Sequence, residues 1–214
     1  MKAPLPSLLF AASLGLAASA DATLVEYTDS ARFLAAIKAD YYFDNFESLT
    51  PTMNPDSLAF GPTNGYSYTA STDEGTLYVV PVIGATTALS TSIAQATLRL
   101  EFTGNPVTAL GGLFFPTNLS NEPLIHLIEL AFSDGSTRAL SNAALTSFIG
   151  FTSSVAITSL SITAPANGCG VTSCYPTLDD FYVGEAPVPA TALLLAAGLL
   201  ALGSRGGRAR RRAA

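Results

Sequence analysis

The sequence predicts an all-β protein: a two-sheet antiparallel sandwich of jelly-roll type with one short N-terminal helix. Three observations carry that expectation. Strand-like runs recur at intervals of about 10 to 15 residues. In the clearest of them, Thr97-Leu-Arg-Leu-Glu-Phe102, Leu98, Leu100 and Phe102 face one side while Thr97, Arg99 and Glu101 face the other. That is the period of a half-buried strand. Thr, Ser, Gly, Asn and Pro are dispersed along the chain, as many turns require. A closed barrel is the alternative arrangement of the same strands.

The elements follow in order. Thr23 to Tyr27 reads as the first strand. Asp29 or Ser30 can cap a helix whose apolar stripe is Phe33, Leu34 and Ile37. Tyr41 to Glu47, Gly65 to Ala70 and Thr76 to Val80 supply the remaining strands of the N-terminal half. Thr97 to Phe102 is stopped by Gly104-Asn105-Pro106. Val107 to Phe115 is an apolar strand with Gly111-Gly112 as its expected bulge. Leu124 to Phe132 and Ser136 to Leu140 flank Ser133-Asp134-Gly135, a hairpin signal. Ser147 to Thr152, Ile157 to Thr163 and Thr177 to Val183 complete the set. About ten to twelve strands fit one domain over residues 21–185, long enough to bury about 70% of its unfolded surface.

Charge divides the chain into three parts. The 214 residues carry a net charge of −6, a charged fraction of 12% and a mean hydropathy of +0.38. Ordinary soluble domains have roughly 25% charged residues, and a disordered acidic chain has more still with fewer apolar ones. Between Asp21 and Glu185 there are four bases, Arg32, Lys38, Arg99 and Arg138, against all sixteen acids, a net charge of −12. The ends carry the other six bases: Lys2, Arg205, Arg208, Arg210, Arg211 and Arg212. An acidic body excludes nucleic-acid binding through a basic surface and favours divalent cations over anionic polymers.

Residues 1–20 read as a secretory signal peptide: Lys2, an apolar run from Leu5 to Ala18, and the small-residue cleavage site Ala18-Ser19-Ala20. At the other end, 186–214, Pro187-Val188-Pro189 leads into the uncharged run Ala190 to Gly203 and then the arginine block Arg205 to Arg212. A fourteen-residue helix spans about 21 Å, and a bilayer core needs about 30 Å. Counting from Pro187 to Ser204 gives 18 residues, the short limit of a transmembrane helix. The arginines act as a stop-transfer signal and stay cytoplasmic. This order of parts resembles the PEP-CTERM sorting signal, a short Pro-x-Pro motif, an apolar helix and an Arg-rich end, over the last 28 residues. Val188 stands where the family motif has Glu. The resemblance implies export in a Gram-negative bacterium, an intermediate anchored in the inner membrane, and removal of the tail by an exosortase. It further implies a place at the cell surface or outside the cell, among extracellular polysaccharide and biofilm.

Within the body, four groups of residues have chemistry to offer. Cys169 and Cys174 are the only cysteines, too few for a structural zinc site; in an exported chain they read as a local disulfide. His126 is the only histidine. A hydrolase triad needs a partner nucleophile and acid, and no nucleophile-elbow motif accompanies it, so a rim or core histidine is the simpler reading. Glu47, in Asp44-Asn45-Phe46-Glu47, and Asp179 or Asp180, in Thr177-Leu-Asp-Asp-Phe181, sit on early and late strands that lie near one another in a jelly roll. Such carboxylates, with backbone carbonyls, suit Ca²⁺; the alternative is solvent-facing strand acids. The two motifs are similar to those of carbohydrate-binding-module sandwiches, a family that carries a structural calcium. Tyr66 and Tyr68, with Tyr41 and Tyr42, can stack on sugars, but alternation puts Tyr66 and Tyr68 on one face, which equally suits a core.

The expected function is therefore an exported, non-enzymatic surface or extracellular-matrix protein. It requires no cofactor, and Glu47 with Asp179 or Asp180 could take a structural Ca²⁺. Its expected partners are an exosortase-type enzyme, the inner membrane during sorting, and extracellular polysaccharide. A glycan-binding module is the alternative, and a secreted hydrolase the third.

Overall fold

The computed structural model describes residues 23–51, 54–82, 86–166, 169 and 173–187. The expected signal peptide and most of the expected sorting segment, including Val188, Pro189 and all five C-terminal arginines, lie outside them. Among the described residues no helix is long and apolar enough to cross a membrane.

The chain runs β1 (Leu24–Tyr27), α1 (Ser30–Ala36), β2 (Tyr42–Asp44), β3 (Ser57–Thr63), β4 (Tyr66–Thr72), β5 (Leu77–Pro81), β6 (Thr87–Thr91) and β7 (Leu98–Gly104). It continues through β8 (Ala109–Thr117), β9 (His126–Phe132), β10 (Thr137–Ala143), β11 (Phe148–Ser153), β12 (Ser159–Thr163) and β13 (Tyr175–Gly184). All strand pairings are antiparallel. They form two open sheets and not a barrel: a seven-stranded sheet ordered β1-β11-β8-β13-β6-β5, with β2 added beside β13, and a six-stranded sheet ordered β10-β9-β12-β7-β4-β3.

Alternation decides what lies between the sheets. Leu98 and Leu100 of β7, Ile128 and Leu130 of β9, and Leu160 and Ile162 of β12 share the main core with Leu77, Val79, Leu89, Phe114 and Leu178 of the facing sheet. Aromatic rings bridge the two sheets. Tyr68 stacks on Phe60 at 4.6 Å and meets Phe181 edge-on at 5.4 Å.

Two strands run against their sequence patterns. β3 contains Gly61 and Pro62, and it is an edge strand, where a missing amide is tolerated. The turn after it, Asn64-Gly65, has positive φ at both positions (53° and 84°), as a tight primed turn between twisted strands requires. β6, Thr-Ala-Leu-Ser-Thr, is buried on both faces between β13 and β5 and so has no polar side to alternate with.

The helix explains two glycines. Asp29 is its N-cap, its Oδ1 accepting from the Arg32 amide at 2.8 Å. Phe33, fully buried, lies on the outer face of the larger sheet among Tyr27, Phe148 and Tyr182. It rests where β8 and β11 pair Gly111 with Gly150. A Cβ on Gly150 would fall 2.5 Å from Phe33 Cδ2, and one on Gly111 would fall 2.9 Å from Phe33 Cε1. Gly111-Gly112 is thus no bulge. The pair lies in regular register with β11, and the bulge is on the neighbouring strand β13, between Asp179 and Tyr182.

This packing gives a testable coupling. Phe33→Ala should cost about 3–5 kcal/mol and Gly150→Ala about 1–3 kcal/mol, both read by urea unfolding. Because the cavity left by Phe33 accepts the new methyl, the double variant should lose at least about 1 kcal/mol less than the two single losses together. Strict additivity would contradict the platform.

Candidate functional site

The strongest concentration of unusual polar chemistry lies at the β13 bulge. Up to Leu178, even-numbered residues of β13 face the core; from Phe181, odd-numbered ones do. Asp179 and Asp180 absorb the change of phase, and Asp180 adopts φ +47°. Here β13 changes neighbour: Leu178 pairs with Leu89 of β6, whereas Phe181 pairs with Asp44 of β2. β2 leads directly to Glu47, so the fold brings the early and late acidic motifs into one electrostatic neighbourhood.

Asp179 is only 1% exposed, yet it is an acid. Its Oδ1 accepts from the Asp180 amide at 2.7 Å. Burial, aided by the charges of Asp180 and Glu47, pushes its carboxyl up to about 7, against the stabilising Asp180 amide and Thr86 hydroxyl. Burial and the Glu47 charge raise Asp180 as well. Glu47 moves the other way. The Thr86 hydroxyl donates to its Oε1, the Thr87 amide donates at 3.0 Å, and both hold it ionised below the usual range. The site thus pairs a carboxylate with acids biased towards keeping a proton. Among the described residues, no three Asp, Glu, His or Cys side chains are arranged to hold a metal ion.

Tyr66 and Tyr68 are not a ligand surface. Each is 1% exposed, and both belong to the main core. Their shared face is the inner one, because β4 lies between β7 and β3 with that face against the other sheet. The Tyr68 hydroxyl is buried without a hydrogen bond among the described residues, and burial raises its pKa well above the ordinary phenol value. Tyr42 is also buried, its hydroxyl donating to Asp44 Oδ2 at 2.7 Å. Tyr41 is half-buried against Tyr182.

His126 begins β9, half-buried and opposite Ala143. No acid or hydroxyl is hydrogen-bonded to its ring among the described residues. Cys169 and Cys174 are joined in a disulfide with Cα atoms 6.0 Å apart, directly before β13. Of the expected sorting motif only Pro187 is described, and it is exposed.

One polar feature has no counterpart in the motifs of the sequence. On the outer face of the larger sheet, hydroxyls of three adjacent strands form a ladder. Ser90 of β6 donates to Pro176 O at 2.9 Å, Thr177 of β13 bonds Ser90 at 3.2 Å, and Thr117 of β8 meets Thr177 at 3.0 Å. The available signal was the single hydroxyl residues Ser90, Thr117 and Thr177, which become meaningful only once their three strands are known to be neighbours.

The shift on Asp179 sets a pH dependence. An unfolded Asp titrates near 3.9. Between about pH 4 and pH 7 the folded state keeps a proton that the unfolded state has released, so stability falls as pH rises through this window, by about 1–3 kcal/mol. Asp179→Asn should remove that slope and melt higher than the parent at pH 8, while matching it near pH 4. The same melts with Ca²⁺ decide the cation reading: a rise at pH 8 in the parent but not in the variant assigns Ca²⁺ to these acids. No family model, curated protein or solved structure matches this chain.

Proposed function

We propose that the chain is an exported, non-enzymatic protein of the cell surface or extracellular matrix, processed through a PEP-CTERM-type C-terminal sorting signal. The observation that carries this reading is the order of parts at the two ends. A charged, apolar, small-residue leader opens the chain, and Pro187-Val188-Pro189, an uncharged Ala/Leu run and Arg205 to Arg212 close it.

The junction between body and tail supports the reading. Lys38 forms an ion pair with Glu185 at 2.5 Å and donates its amide to the Glu185 carbonyl at 2.9 Å. The Ala186 amide donates to Thr108 Oγ1 at 2.8 Å. Pro187 follows at once and is exposed. Among the described residues the last tie to the sandwich, at Ala186, is therefore adjacent to the exposed first proline of the motif.

The steps are physical ones. The leader starts export. The short apolar helix and its arginines halt the chain in the inner membrane with the body outside. Each proline disfavours helix at the residue before it, keeping the motif extended for the enzyme. The jelly-roll-like body is then released or transferred.

Expression in hosts with and without an exosortase tests the proposal. The mature mass should lack the tail only where the enzyme is present, and replacing Pro187 and Pro189 by Ala should leave the tail attached. An intact tail in both hosts would overturn it.

A further inference from the structure

We infer that the outer face of the larger sheet carries a binding cleft for a single neutral sugar ring, floored by the hydroxyl ladder and bounded by Tyr78 and Tyr175. This inference is independent of how the chain is sorted.

The cleft, of about 240 Å³, lies over β5, β6 and the start of β13. Its size is below the range of roughly 300–1,000 Å³ common for drug-sized ligands, which limits it to about one ring. Register explains its floor. Tyr78 pairs with Ser90, and Tyr175 is two residues from Thr177, so both rings project from the face that carries the ladder. Ser90 and Thr117 line the floor; Asn54, Asn121 and Leu119 line the rim.

Three properties select the ligand. First, among the described residues no carboxylate, ammonium or guanidinium lines the cleft, although the body around it has sixteen acids. By contrast, the larger cleft between edge strands β1 and β10, about 690 Å³, is lined by Glu26 and Asp29. An uncharged lining leaves an ionic ligand without a counter-charge and costs it hydration. Second, the Tyr78 and Tyr175 hydroxyls and the side-chain amides of Asn54 and Asn121 form no hydrogen bond among the described residues. They offer donors and acceptors together, as vicinal hydroxyls require. Third, two phenol rings and the 80%-exposed Leu119 supply apolar contact beside those groups, which suits the C–H face of a sugar.

Saturation-transfer NMR on the full chain tests this with glucose, galactose, mannose and N-acetylglucosamine, and with glucuronate as the charged control. At least one neutral sugar should bind with a dissociation constant of about 1 mM, as befits a dozen or so ligand atoms, and glucuronate should bind about tenfold more weakly. Tyr175→Ala should weaken binding about tenfold. Asn54→Ala and Leu119→Arg alter exposed positions and keep the test valid if Tyr175→Ala lowers the melting temperature; loss of binding in either, with an unchanged melt, supports the cleft. No transfer to any of the four sugars, undiminished binding in both exposed variants, or glucuronate binding as tightly as the neutral sugars would overturn it.

Discussion

The structure depends on a change of phase within its last strand. β13 is ten residues long and hydrogen-bonds to β8 along its length, to β6 on one part of its other edge and to β2 on the next. A regular strand of that length would keep one parity inward, and either Leu178 or the pair Phe181 and Val183 would face outward. The bulge lets all three reach the core. It also turns Tyr182 outward, where its ring meets Phe33, Phe43 and Phe148. The main core and the helix docking site therefore rest on the same two residues. The cost appears as a buried acid and a positive φ, both at that position.

This explains why acids stand where strand residues are usually apolar. Asp179 Oδ1 takes up the Asp180 amide, a donor that the interrupted ladder leaves free. An apolar residue at 179 would pack well but leave that amide with no acceptor in a buried place. Glu47 does similar work across the strand change, taking up the Thr87 amide and the Thr86 hydroxyl at the entrance to β6. The local chemistry of the acidic motifs is thus backbone satisfaction first. Any cation would have to compete with amides and hydroxyls already bound.

How much of this could be read from the sequence depended on whether each strand kept one wet face. β7 alternates cleanly, and its inner face was legible, although it runs Leu98–Gly104 where Thr97 to Phe102 was expected. So was α1, from Asp29 and the spacing of Phe33 and Ile37. β6 was not, because small hydroxyl residues buried on both sides carry no periodic signal. β3 was hidden by Gly61-Pro62, which reads as a break unless the strand is known to be an edge. The bulge had a signal, the three-residue spacing from Leu178 to Phe181, which no regular strand can place on one face. The meeting of the Glu47 and Asp179 motifs was legible from the expected closeness of early and late strands. The role of Tyr66 and Tyr68 was not: alternation puts both on one face but cannot say which face is inside.

The same ambiguity of faces bears on where a sandwich of this kind can meet a ligand. The body is strongly acidic, so charge holds polyanions away and offers no selectivity among neutral molecules. Recognition of a neutral molecule must come from shape and directional hydrogen bonds, and these need side chains held still by their own support. The larger sheet provides that support at one place. Ser90, Thr177 and Thr117 are buried and bonded to one another across three strands, which fixes the floor from which Tyr78 and Tyr175 project. The tyrosines of β4 are held as firmly but are spent between the sheets. What separates a core aromatic from a candidate recognition aromatic here is its parity within the strand, relative to a phase that β13 itself reverses at Asp179 and Asp180.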